Sequence, residues 1–203
     1  MEQTKTSDLV SAGLGALHEA PAALNVGGKY VVECHEYEGG PLVWRDDIDN
    51  VITIAGRNKM YDNYLAGSSF SQVGPFMGLI SATAGTPVEA DTMSSHGTWT
   101  ECGNAVAPAY NVGGSQTRPT LNGKFDAASG GNKAVNSGNR PVFTISSNGT
   151  VRGAFLVCDT SASNAIDNTS GTLFSAGLFS GGNQPVIIGN TLTVSWQATS
   201  TSS

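Results

Sequence analysis

Apolar and polar residues alternate with a period of two along several short stretches of the chain. This is the signature of half-buried β-strands. In residues 29–36, Tyr30, Val32 and Cys34 alternate with Val31, Glu33 and His35. In residues 191–197, Leu192, Val194 and Trp196 alternate with Thr193 and Ser195. Residues 76–80, 172–179 and 185–188 are short apolar runs of the same type. Residues 42–45 and 51–55 flank an acidic stretch, Asp46, Asp47, Asp49 and Asn50, which reads as a turn between strands. Residues 140–157 carry two apolar runs around Ser146-Ser147-Asn148-Gly149. Asn-Gly between apolar segments predicts a tight hairpin, because both residues tolerate positive φ. In the second arm, Val151, Phe155 and Val157 are expected on one face, opposite Arg152, Ala154 and Leu156.

Helical periodicity is confined to residues 57–66, where Met60, Tyr61, Tyr64 and Leu65 fall on one side and Gly67 stands at a C-terminal cap position. Eight to ten strands with one short helix and no βαβ alternation imply packed antiparallel layers. The expected fold is an all-β, jelly-roll-like antiparallel sandwich. It spans residues 29–203 as a single domain, with a long turn-rich region at about 103–138 in which short strands fall near 120–125. Such a long loop is expected to protrude or to bind something. Residues 198–203 form a polar tail, expected to fray.

Residues 1–28 form an N-terminal arm. Leu9, Leu14, Leu17 and Leu24 share no clean helical face there. Such an arm buries too little apolar surface to order itself alone, and gains order against a neighbour. These four leucines are the candidate partner-binding residues.

Composition narrows the function. The chain of 203 residues carries only 13% charged residues, 26 glycines and a net charge of −6. Nucleic-acid binding requires clustered Lys and Arg, and ten basic residues spread along the chain form no stripe. No apolar run is long enough to span a membrane as a helix, and residues 1–28 lack the basic start and apolar core of a secretory signal. Cys34, Cys102 and Cys158 are odd in number and widely spaced, without a C-x-x-C pair, so free, buried thiols in a reducing compartment are expected.

Candidate chemistry is sparse. The Asp46–Asp47–Asp49–Asn50 cluster lacks the glycine and the spacing of a calcium loop. Cys34 and His35 are neighbours on a strand and point to opposite faces. His96, near Trp99 and Glu101, has no accompanying nucleophile motif. The glycine pairs fit no phosphate-binding loop. Trp44, Trp99 and Trp196 could face a glycan, although burial is the commoner fate of a strand Trp. No catalytic residue, cofactor or metal is expected.

Several segments in a fixed order carry a resemblance. They are Tyr30, Cys34, Gly39, Gly40, Trp44, Asn50 and Gly56; the FMGLI run at 76–80; ADTMSSHGTWTE at 90–101; FTI at 143–145; GAFL at 153–156; and TLFSAGLF at 172–179. Together they resemble small virion proteins of tailed bacteriophages, over roughly residues 29–197. That resemblance implies a non-enzymatic head cement or decoration protein of jelly-roll type. It would be made in the host cytoplasm and placed on the outer capsid surface, with the major capsid protein as partner and a homo-oligomer (dimer or trimer) as its state. A tail-fibre or adaptor module binding a host receptor or glycan is the alternative.

Overall fold

The computed structural model describes residues 24–64, 73–82, 85–97, 99–103, 105–130, 132–134 and 137–202. Among these residues, ten strands and one α-helix form an all-β, antiparallel, sandwich-like fold, as the alternation predicts. In chain order the elements are β1 (Leu24–His35), β2 (Leu42–Ile52), α1 (Ile54–Tyr64), β3 (Val73–Ser81), β4 (Tyr110–Asn111), β5 (Asn132–Ala134), β6 (Val142–Ile145), β7 (Gly149–Asp159), β8 (Thr172–Leu178), β9 (Gln184–Val186) and β10 (Thr191–Ser202).

The strands hydrogen-bond in the order β3-β7-β8-β2-β1-β10-β6-β4, with β5 added to β10 and β9 to β7. The sheet folds back on itself into two layers. β2 belongs to both: most of it pairs with β1, while Val51 and Ile52 pair with Ala176 and Ser175 of β8. Between the layers lies the main core. Tyr30, Val32, Ile48, Phe143, Leu192 and Val194 from the first layer meet Met77, Leu79, Val151, Ala154 and Leu156 from the second. The Tyr30 hydroxyl crosses this core to Ser175 Oγ at 2.6 Å, so its polar tip is satisfied inside the apolar interior. A second cluster (Phe76, Ile80, Met93, Trp99, Phe155 and Val157) covers the outer face of β3 and β7. Those two strands are therefore buried on both sides.

Four expectations change. First, β6 and β7 are not a hairpin. β6 pairs with β10 and β4 in one layer, and β7 with β3, β8 and β9 in the other. Residues 146–149 arch between the layers. Ser146 and Ser147 amides donate to Ala109 O, Ser147 Oγ accepts from Ala109 N, and Asn148 Oδ1 accepts from Ile188 N. Neither Asn148 nor Gly149 has positive φ. Gly149 is needed because a Cβ there would sit 2.7 Å from Pro108 N. Second, Val151 shares the core with Ala154 and Leu156, not with Phe155 and Val157. Ile80 pairs with Gly153 and Ser81 with Val151, so a bulge at Arg152 reverses the facing.

Third, Asp46–Asn50 is no turn. It lies inside the continuous strand β2, with Asp46 and Ile48 buried on one face. Fourth, the polar tail is not frayed: residues 198–202 pair with Gly28 through Leu24, which draws 24–28 out of the expected arm and into β1. The 103–138 region also packs inward, burying Tyr110, Arg118 and Leu121.

Helix α1 starts three residues before its predicted position. Thr53 sets its N-terminus: its Oγ1 accepts from Gly56 N at 2.9 Å and donates to Leu173 O, capping the helix and tying it to β8. Gly56 lets the helix press on that strand, since a Cβ there would lie 2.4 Å from Phe174 O. Tyr61, expected on the packed face, is exposed; Leu65 and Gly67 lie outside the described residues.

Candidate functional site

Five large apolar side chains stand exposed at one end of the sandwich. Tyr37 comes from the β1–β2 connection, Leu42 and Val43 from the start of β2, and Ile187 and Ile188 from the turn before β10, each 52–64% exposed. Two polar contacts hold these loops side by side: Trp44 Nε1 donates to Pro185 O at 3.2 Å, and Asn190 Nδ2 to Glu36 O at 3.4 Å. The turn itself is closed by Asn190 Oδ1, which accepts from Ile187 N at 3.0 Å. Its backbone is thus fixed while its two isoleucines face water. Grouped exposed apolar residues on a braced scaffold mark a contact surface.

Asp46 supports the same end from beneath. Its carboxylate accepts from Ser180 N (3.0 Å), Ser180 Oγ (2.8 Å), Gly181 N (3.0 Å) and Gln184 Nε2 (3.1 Å). A Cβ at 181 would lie 2.5 Å from Asp46 Oδ2, so only glycine admits the carboxylate. Asp46, alone of the acidic cluster, is therefore a brace for residues 180–184. Asp46→Ala will remove the carboxylate's hydrogen bonds to these residues, costing about 1.5–3 kcal/mol, the usual worth of hydrogen bonds to a charged group. Hydrogen exchange at Ser180 and Gly181 should accelerate, while exchange in β10 should not.

The second concentration of polar groups is buried. Arg118 Nε and Nη2 form a two-point contact with Glu101 Oε1 and Oε2 at 2.8 and 2.7 Å. Two further guanidinium hydrogens go to Ser163 O at 3.0 Å and Asn168 O at 2.8 Å, and Glu101 also accepts from Asp167 N at 2.8 Å. The guanidinium lies 5.3 Å from the Phe155 ring centroid. Gly78 makes the room, since a Cβ there would meet both the Phe155 ring and Glu101 Oε1. This pair staples three loops onto β3 and β7.

His96, singled out from the sequence, stacks on Trp99 at 3.9 Å, and Trp99 Nε1 donates to Asp91 Oδ2 at 3.0 Å. The His96 ring thus completes a packed corner beside that staple. Cys34, Cys102 and Cys158 are free and buried, as expected. Burial pushes the Cys34 thiol up to about 11 and Cys158 to about 12, which removes them as nucleophiles at neutral pH. Among the described residues, no group of three or more His, Cys, Asp or Glu could hold a metal ion, and no helix is long and apolar enough to cross a membrane.

Of the four candidate leucines, Leu9, Leu14 and Leu17 lie outside the described residues, and Leu24 opens β1 opposite Ser202. Trp99 and Trp196 are buried and Trp44 is half-buried. The exposed end was not picked out from the sequence. Its signal was available in Ile187-Ile188, an apolar pair just before the Gly189-Asn190 turn. No protein-family model, curated protein or solved structure matches the chain.

Proposed function

We propose that the protein is a non-enzymatic virion structural protein of the capsid cement or decoration type, binding neighbouring major capsid subunits from the outer surface of the shell. The observation that carries this reading is the exposed apolar end, with Tyr37, Leu42, Val43, Ile187 and Ile188 held on fixed loops. A rigid sandwich that presents apolar side chains on a braced end suits protein–protein contact. Many weak copies of one contact on a symmetric shell add up through multivalency. Self-association as a dimer or trimer belongs to the same reading. Leu9, Leu14 and Leu17 supply its second contact.

Co-sedimentation with undecorated heads tests it. The double variant Ile187→Ser/Ile188→Ser alters only exposed side chains, so its melting temperature should stay close to wild type. Its retention on heads should fall about tenfold or more, the usual effect of losing an anchor near an interface centre. A chain lacking residues 1–23 keeps every pair of the β1–β10 ladder and should fold, yet bind more weakly. Retention of both variants at wild-type level would overturn this assignment of the contacts. Binding to host cells or glycans, with none to heads, would replace it by the tail-fibre or adaptor reading.

A further inference from the structure

The seam between the layers opens beside α1 into a cavity of about 320 Å³. Leu156 and Cys158 of β7 and Phe174 of β8 form one wall, and Trp196 and Ala198 of β10 face them, with Phe125 alongside. Phe125 and Phe174 both stand nearly perpendicular to the Trp196 ring. Phe125 and Phe174 each place a centroid 5.8 Å from Trp196, at interplanar angles of 79° and 77°. This space is about twice the ~150 Å³ that accepts benzene in an apolar protein interior. It falls at the small end of the ~300–1,000 Å³ typical of ligand pockets.

Two polar features set the chemistry of an occupant. Trp196 is only 6% exposed, yet its indole N–H has no hydrogen-bond acceptor among the described residues. A buried donor left this way is uncommon and costs about 1–3 kcal/mol. Two lysines line the same cavity. Lys59 is neutralised by Asp159 at 2.8 Å. Lys133 Nζ bonds the Asp126 backbone carbonyl and stands 5.7 Å from the Phe125 ring centroid. It makes no ion pair among the described residues, so its charge stays available at the aromatic box.

We propose that this cavity binds a small aromatic carboxylate, its ring held edge-to-face among Phe125, Phe174 and Trp196 and its carboxylate drawn to Lys133. Flat rings gain most from such walls. An organic cation is repelled by Lys133. A doubly charged phosphate would bring a second negative charge with no second unpaired lysine to meet it, because Asp159 holds Lys59. A sugar would need several polar partners where the walls are apolar. The site is independent of the capsid reading and lies away from the exposed loops at residues 37–43 and 187–188.

The test titrates 2-naphthoate into the full chain by calorimetry, beside the neutral 2-naphthalenemethanol. One saturable site is expected, with the neutral compound about tenfold weaker through loss of the charge-assisted contact. Lys133→Gln should bring naphthoate down to the level of the neutral compound, with the melting temperature unchanged. Ala198→Trp should fill the cavity and abolish binding of both. The proposal is overturned if the wild-type chain gives no saturable binding at millimolar ligand. It is equally overturned if folded Lys133→Gln binds naphthoate as wild type does. Should Ala198→Trp fail to fold, Lys133→Gln decides alone, since it changes a rim side chain.

Discussion

Arg118→Met should lower the unfolding free energy by about 3–5 kcal/mol, the usual cost of leaving one member of a buried ion pair uncompensated. Arg118 is 1% exposed and Glu101 6%, so water cannot replace the lost partner. The same substitution strands Ser163 O and Asn168 O, and frees Glu101 to accept only from Asp167 N and, at 3.4 Å, from Tyr110 OH. Native domains hold about 5–15 kcal/mol in total, so this one change removes a large share. Urea denaturation is the measurement. Adding Glu101→Leu to Arg118→Met should recover much of the loss, because the buried charge goes with it. A single-variant cost below about 1 kcal/mol, the range of solvent-screened pairs, would mean that the pair is not buried in solution.

Raising the pH from 9 to 12 should destabilise the protein steeply. Five acids are neutral and buried in the fold: Tyr30, Cys34, Cys102, Tyr110 and Cys158. Desolvation is the largest cause in each, and the Glu101 charge further raises Cys102 and Tyr110. Their folded values exceed the ordinary 9.0 of a thiol and 10.0 of a phenol. Below pH 9 both states hold these protons, and the stabilisation is complete. Above it the unfolded chain ionises first, so stability falls by up to ~1.4 kcal/mol per pH unit for each group. The Cys34 share is lost by about pH 11 and the Cys158 share by about pH 12. Urea midpoints at pH 8, 9, 10 and 11 measure the slope, and Tyr110→Phe should flatten it. A midpoint unchanged to pH 11 would refute the burial of these groups.

The strands were legible wherever one face is dry. Tyr30, Val32 and Cys34, or Leu192, Val194 and Trp196, mark a core side by simple alternation. The pairing was less legible. Ser-Ser-Asn-Gly has the chemistry of a hairpin turn, yet the same small polar residues serve an arch between layers, where Gly149 is needed for its closeness to Pro108. What separates the two outcomes is the partner of each arm, β10 for β6 and β3 for β7, and these are remote in sequence. The bulge at Arg152 has no local mark, and it moved Val151 to the other face. Asp46–Asn50 looked like a turn because its acids are consecutive. On a strand, alternate acids face water (Asp47 and Asp49) while Asp46 finds donors at residues 180–184. The Glu101–Arg118 staple was invisible because seventeen positions without periodicity separate its partners.

The ladder between β1 and β10 runs from Leu24 opposite Ser202 to His35 opposite Thr191. During synthesis, β1 can pair with β2 early, but its other edge stays open until β10 has left the ribosome. Chains grow at about 5–20 residues per second, so that edge is bare for roughly ten seconds or more. An unpaired edge next to Val32 and Tyr30 is an invitation to a foreign strand. Yield in a host should therefore depend on elongation rate and on chaperone capture. Slowing translation between the codons of β2 and those of β10 should raise the aggregated fraction without changing a single residue of the product.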